Sequence, residues 1–259
     1  GSVYLMSQLA PGTSSRRTFQ VEVKEWNGAN PETLTVEIVG SESRDAFPRY
    51  DALFDDGVFD IAVHFGGDYN DERFDLETAR WLVEYLIEQG WTSTGVTSFE
   101  DLSPDSPPFT RSLKLEGRTI TAAVHVFHAG LDEGGDQKVL RDVLEESLAK
   151  RDVVIYSGHS GAGAGFILDY HPRYEIRAEE FAELPMASKY QILVLDGCRS
   201  YRTYVDDLMK NPHKTFDNVD IITTVNTTPF SAGYQVIHEF LYWFTLTDAL
   251  DRHFPVSWK

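Results

Sequence analysis

The sequence predicts an α/β domain, a three-layer α/β/α sandwich around a mostly parallel sheet, with a small β extension before it. Two stretches, "DVVIYSG" and "YQILVLDGC", are apolar throughout instead of alternating, as strands covered on both faces are. Helix-period stretches stand between the apolar runs, which is the pattern of βαβ units. Small-residue loops, "SGHSG" and "DGCRS", follow those two strands directly, at the end of a parallel sheet where reactive groups collect.

Taken in order, residues 18–39 alternate apolar and polar around Asn27-Gly28 and Asn30-Pro31, which predicts a hairpin. That hairpin makes residues 1–50 an N-terminal extension and leaves 51–259 as the main domain. "VFDIAVHF" from Val58 reads as a buried strand. Gly66-Gly67 follows, then a helix with Leu76, Ala79, Leu82, Val83 and Leu86 on one face and Asp75 as its N-cap. "WTSTGVTSFEDLSPDSPPF" is rich in Ser, Thr and Pro and reads as a long surface loop. "SLKLEGRTITAAVHVFHAG" predicts a hairpin whose second strand enters the core. Asp136 is expected to cap a helix carrying Val139, Leu140, Val143, Leu144 and Leu148. After the two apolar strands come a further strand, "VDIITTVN", and a helix with Val236, Ile237, Phe240, Leu241 and Phe244 on one side.

Composition narrows the function. A net charge of −18 opposes nucleic acid or an anionic membrane as main partner, because both are polyanions, and it suits basic substrates. No apolar run is long enough to cross a bilayer. No charged-apolar-small leader opens the chain, which leans towards the cytoplasm; Gly1-Ser2 reads as an expression remnant, so a trimmed leader stays open. Cys198 is the single cysteine, so neither an internal disulfide nor a thiolate-rich metal site is expected.

Two chemistries compete for the loops. Gly158-His159-Ser160-Gly161-Ala162 nearly spells a nucleophile elbow, which would make Ser160 a hydrolase nucleophile. An elbow needs a helix immediately after it, and "AGAGF" with His171-Pro172 beyond is poor helix material. The other pairing is His159 with Cys198. If their strands are neighbours, the loops stand about 5 Å apart and can converge on one carbonyl. A thiolate attacks there, and an imidazole can protonate the departing amine. A lone cysteine is also at home as a small core residue, and that alternative stands beside the catalytic one. His64, His125 and His128 at strand ends suggest partly buried strand residues more than a metal site, and no metal is expected. "SGAGAG" lacks the Lys-Ser/Thr of a phosphate-binding loop, so nucleotide binding is not expected either.

At these residues the chain resembles the caspase-like cysteine peptidases, the group of caspases, metacaspases, clostripain, gingipains and legumain, in style nearest the bacterial homologues and metacaspases. The family order of strand, Ser-Gly-His-Gly, glycine-rich hairpin, helix, strand and Asp-x-Cys is matched by "YSGHSGAGAGFIL", "IRAEEFAEL" and "QILVLDGCRS". The likeness spans roughly residues 58–250. It implies Cys198 as nucleophile, His159 as general acid–base, and the backbone N–H groups of Ser160 and Cys198 as an oxyanion site. Ser160 stands where the family usually has glycine. Asp196 matches the acid of a pocket for Arg or Lys, with capping of its own loop as the plainer role. Asn226 would lie along the substrate groove. Asp68, Asp71 and Asp75 could supply a second pocket acid, or be a solvated loop and a helix cap. Arg202, Lys210 and Lys214 lie where some relatives cut themselves, or simply on a surface helix and turn.

The expectation is therefore a cysteine endopeptidase acting through an acyl-thioester on protein or peptide substrates, preferring Arg or Lys, with no cofactor and calcium left undecided. A catalytically silent relative that binds a partner protein is the first alternative. A serine α/β-hydrolase with Ser160 as nucleophile is the second.

Overall fold

The structure is a computed structural model that describes residues 16–23, 32–39, 46–115, 117–132, 135–160 and 165–258. Contacts divide the chain into residues 1–46 and residues 47–258. In the first unit, β1 (Arg16–Val23) pairs antiparallel with β2 (Glu32–Val39), the expected hairpin. Its turn residues, Asn27-Gly28 and Asn30-Pro31, lie outside the described residues, as do Gly1-Ser2.

The second unit begins with the one-turn helix α1 (Tyr50–Leu53). Tyr50 belongs there because its ring meets Phe54 at 5.4 Å and Phe244 at 6.0 Å. The sheet follows from β3 (Val58–Phe65), β4 (Phe109–Leu115), β5 (Arg118–His128), β6 (Val153–Ser157), β9 (Gln191–Asp196) and β10 (Val219–Thr223). Their order across the sheet is β10-β9-β6-β3-β5-β4, parallel except for the edge strand β4. The domain is α/β with a mostly parallel central sheet, as the apolar strands predicted.

Helices α2 (Phe74–Glu88) and α5 (Phe230–Phe244) pack on one another, and α2 also lies on β3 and β5. Helix α3 (Lys138–Lys150) packs on β5, and α4 (Ser200–Leu208) on β9 and β10. Arg141 of α3 reaches Glu180 at 2.8 Å, tying α3 to the turn 178–182 beneath α4. Every residue of β6 and β9 is buried, which is why neither strand alternates. Truncating Ile155, which is fully buried, to Ala would cost about 2–5 kcal/mol.

Three local expectations need correction. Asp75 does not cap α2. Arg73, in the left-handed region at φ 50°, precedes the helix, and buried Asp75 takes the Arg73 guanidinium at 2.9 and 2.7 Å. A carboxylate in a first turn is favoured by the helix dipole whether or not it caps. Likewise Asp136 stands one residue before the boundary residue Gln137, although its Oδ1 still accepts the Lys138 N–H at 3.2 Å. The helix expected in "IRAEEFAEL" is only the short 3-10 turn Ala178–Ala182. Pro185 disfavours helical backbone at the residue before it and stops any extension.

Candidate active site

Register sets the site. Ser157, the last residue of β6, lies beside Phe65 of β3 on one side and Asp196 of β9 on the other. Three loops therefore leave the same end of the sheet side by side: 66–70, 158–160 and 197–199. The strand order reverses between β3 and β6, and in an open parallel sheet that crevice is where ligands bind.

The 66–70 loop passes under β7 (Phe166–Tyr170), which pairs antiparallel with β8 (Arg173–Ile176). The passage needs glycine, because a Cβ on Gly66 would stand 2.2 Å from the Ile167 carbonyl oxygen. This path delivers Asp68, fully buried, to His159. The His159 loop is anchored from below, with the Tyr156 hydroxyl donating to the His159 carbonyl at 2.7 Å.

Asp68 Oδ1 lies 2.9 Å from His159 Nε2 and also accepts the backbone and side-chain N–H groups of Asn70 at 3.2 and 2.8 Å. Burial pushes the Asp68 carboxyl up, but the bonds from His159 and Asn70 outweigh it and hold the group below the usual carboxylate range. An ionised carboxylate only accepts, so Nε2 carries the shared proton. In the neutral imidazole Nδ1 then has the lone pair, and it has no hydrogen-bond partner among the described residues. Aromatic rings fix the imidazole further. Tyr69 stacks on it at 4.7 Å, and Phe230 meets it edge-on at 4.8 Å.

Cys198 is half-buried. Its Sγ accepts the Thr228 N–H at 3.4 Å and donates to the Thr228 carbonyl at 3.8 Å. His159, Cys198, Asp196, Thr228, Phe230 and Gly233 all line one cavity of 280 Å³. The thiol is thus not sealed in apolar packing.

Asp196 ends β9 inside the cavity wall, 5% exposed. Its Oδ2 accepts the Ser157 hydroxyl at 2.9 Å, while buried Oδ1 has no partner among the described residues. Burial raises its pKa, and the Ser157 bond offsets only part of that. The carboxylate accepts no backbone N–H among the described residues, so its capping role drops away. Opposite stands Gly233 of α5, where a Cβ would come within 2.6 Å of Ser157 Oγ and 2.9 Å of Asp196 Oδ2.

The remaining expected residues fall as follows. The N–H groups of Ser160 and Cys198 donate to no described residue. Ser160 is not among the residues with positive φ, so serine sits there without strain. Its hydroxyl bonds the Cys198 carbonyl at 3.2 Å, and the chain returns as strand β7 from Phe166 rather than as an elbow helix; residues 161–164 lie outside the described set. Asn226 does not line the cavity. It is exposed, and its carbonyl accepts the Arg199 N–H at 3.0 Å. Thr228 and Phe230, two and four residues on, take the wall instead. Asp71 is exposed and Asp75 belongs to Arg73, so only Asp68 joins the site.

His64, His125 and His128 form no metal-holding cluster among the described residues, and each has its own partner. His64 Nε2 meets Ser147 Oγ at 3.0 Å, His125 meets Asp60 at 3.3 Å, and His128 stacks on Phe99 at 4.7 Å. Arg202 and Lys210 are exposed on and after α4, whereas Lys214 is buried with Nζ on the Lys189 carbonyl at 3.2 Å.

Sequence reasoning missed the Asp68–His159 pair, Thr228, Phe230 and Gly233. For Gly233 a signal existed, since a glycine inside an apolar helix costs stability and usually has a packing reason. Comparison of the chain with family models, curated proteins and solved structures finds no match.

Proposed function

We propose that this protein is a caspase-like cysteine endopeptidase that cleaves after Arg or Lys. The observation that carries the reading is one cavity lined by a carboxylate-held imidazole, the only thiol of the chain and a buried carboxylate with an unpartnered oxygen. Cys198 gives up its proton to His159 and its sulfur attacks the scissile carbonyl carbon. The oxyanion forms beside the backbone N–H groups of Ser160 and Cys198. When the intermediate collapses, the C–N bond breaks and His159 returns the proton to the departing amine. Water then attacks the acyl-thioester with His159 as base, releasing a carboxylate and restoring the thiol. Asp68 holds the imidazole in one tautomer and stabilises it when charged.

Asp196 supports the substrate preference. A guanidinium or ammonium entering the cavity would give Oδ1 the partner it lacks and neutralise a charge that burial disfavours. Ser160 is set aside as nucleophile because its hydroxyl faces the Cys198 carbonyl rather than an imidazole.

Treatment with an arginyl peptide acyloxymethylketone followed by intact mass tests the reading. One adduct, lost in Cys198→Ala, is expected. No adduct would point to a silent binding relative, and an adduct lost only in Ser160→Ala would point to the serine hydrolase.

A further inference from the structure

We infer that Ser160 is a positioning residue, whose hydroxyl clamps the peptide between Cys198 and Arg199 and so aims the thiol. The inference rests on Cys198 being the nucleophile. That peptide is held at both ends by different loops. Its carbonyl accepts the Ser160 hydroxyl at 3.2 Å, from the loop after β6. Its N–H donates to the Asn226 carbonyl at 3.0 Å, from the loop after β10. Directly after this doubly held peptide the chain does something unfavourable, since Arg199 adopts φ 55° and ψ 34°, the left-handed region that a side chain disfavours.

A strained residue directly after a nucleophile persists only where its surroundings over-determine it. The clamp supplies that constraint, and it acts on the Cys198 side of the turn. With the carbonyl fixed, the Cys198 backbone cannot rotate about the peptide plane. Sγ is then kept on the Thr228 N–H at 3.4 Å, facing the cavity. Asn226, expected to touch substrate, serves the same turn through its main chain instead.

Two readouts test the clamp. One is the rate of Cys198 alkylation by iodoacetamide across pH, which needs no peptidase activity; the other is kcat and KM on an arginyl peptide substrate. Ser160→Ala should lower both kcat and the alkylation rate about tenfold, the worth of one hydrogen bond, with KM unchanged. Ser160→Thr, which keeps the hydroxyl, should restore them. Arg199→Gly adopts the same backbone angle without strain, so Ser160→Ala should cost far less in an Arg199→Gly background.

Thermal unfolding of each variant separates misfolding from misaiming. If Ser160→Ala alkylates and turns over like the unaltered protein, the clamp has no role. Equal losses from Ser160→Ala with and without Arg199→Gly would also overturn it. If the unaltered protein alkylates but cleaves nothing, the peptidase reading fails, while the alkylation series still decides the clamp.

Discussion

Asp68 Oδ1 and His159 Nε2 stand 2.9 Å apart, joining the loops that leave two adjacent parallel strands. The acid is fully buried and the imidazole partly exposed to the cavity. On the proposed reading that asymmetry orients a base: the buried carboxylate accepts the Nε2–H hydrogen bond, and the opposite nitrogen is left for chemistry.

Asp68→Asn removes the acceptor that sets this tautomer. On the proposed reading kcat should fall by about 10²- to 10⁴-fold, the usual worth of a positioned acid–base, with KM little changed. Steady-state kinetics on an arginyl peptide decide it. A kcat within twofold of the unaltered protein would mean that His159 does not depend on Asp68.

Gly233→Ala puts a methyl 2.6 Å from Ser157 Oγ and 2.9 Å from Asp196 Oδ2. Either the helix shifts or the carboxylate is covered. Overpacking of this kind costs about 1–3 kcal/mol, so kcat/KM on Arg and Lys peptides should drop roughly 5- to 150-fold. Iodoacetamide, which does not reach for Asp196, should alkylate Cys198 at an unchanged rate. Equal losses with both reagents would mean general damage and no role in selectivity.

Asp196 has its pKa raised by burial, only partly countered by Ser157. Its charge, and with it the proposed preference for a cation, is lost as pH falls through a value higher than an ordinary aspartate's. The ratio of kcat/KM for an arginyl peptide over its citrulline analogue should therefore decline on acidification. The sign reverses for stability. A group whose folded pKa is raised stabilises the fold below its unfolded pKa, and that contribution is lost as pH rises through the folded one. Asp196→Asn should thus unfold at a higher temperature than the unaltered protein at pH 8 but not at pH 3. A flat ratio across pH would remove Asp196 from recognition.

Asp152 offers the same linkage away from the site. It is 3% exposed, and burial pushes its pKa up to about 6, against the opposing bonds from Lys189 and the Asp60 N–H. Its contribution to stability is complete below about pH 4 and is lost as pH rises through about 6. Asp152→Asn should gain up to about 3 kcal/mol at pH 8 relative to its effect at pH 4. Urea unfolding at the two pH values measures this, and an identical difference at both would refute it.

Much of this architecture was readable in advance. "DVVIYSG" and "YQILVLDGC" declared buried parallel strands, and His159 and Cys198 follow them directly, so their proximity needed only that the strands be neighbours. The caps were less legible. Asp75 and Asp136 have the residue type of a cap, but a nearby guanidinium claimed the first, and the second fell one position early. Nothing in the chain order marks Asp68 as the partner of a residue ninety-one positions later.

By itself the sequence determined the central strands and which residues follow them, because period and residue type are local properties. Only the tertiary structure decided which groups face each other: Asp68 with His159, Ser160 with the Cys198 carbonyl, Gly233 with Asp196, and Thr228 rather than Asn226 on the thiol. Those pairings depend on strand register and on how closely loops and a helix end can approach, and both are set by packing across the whole sheet.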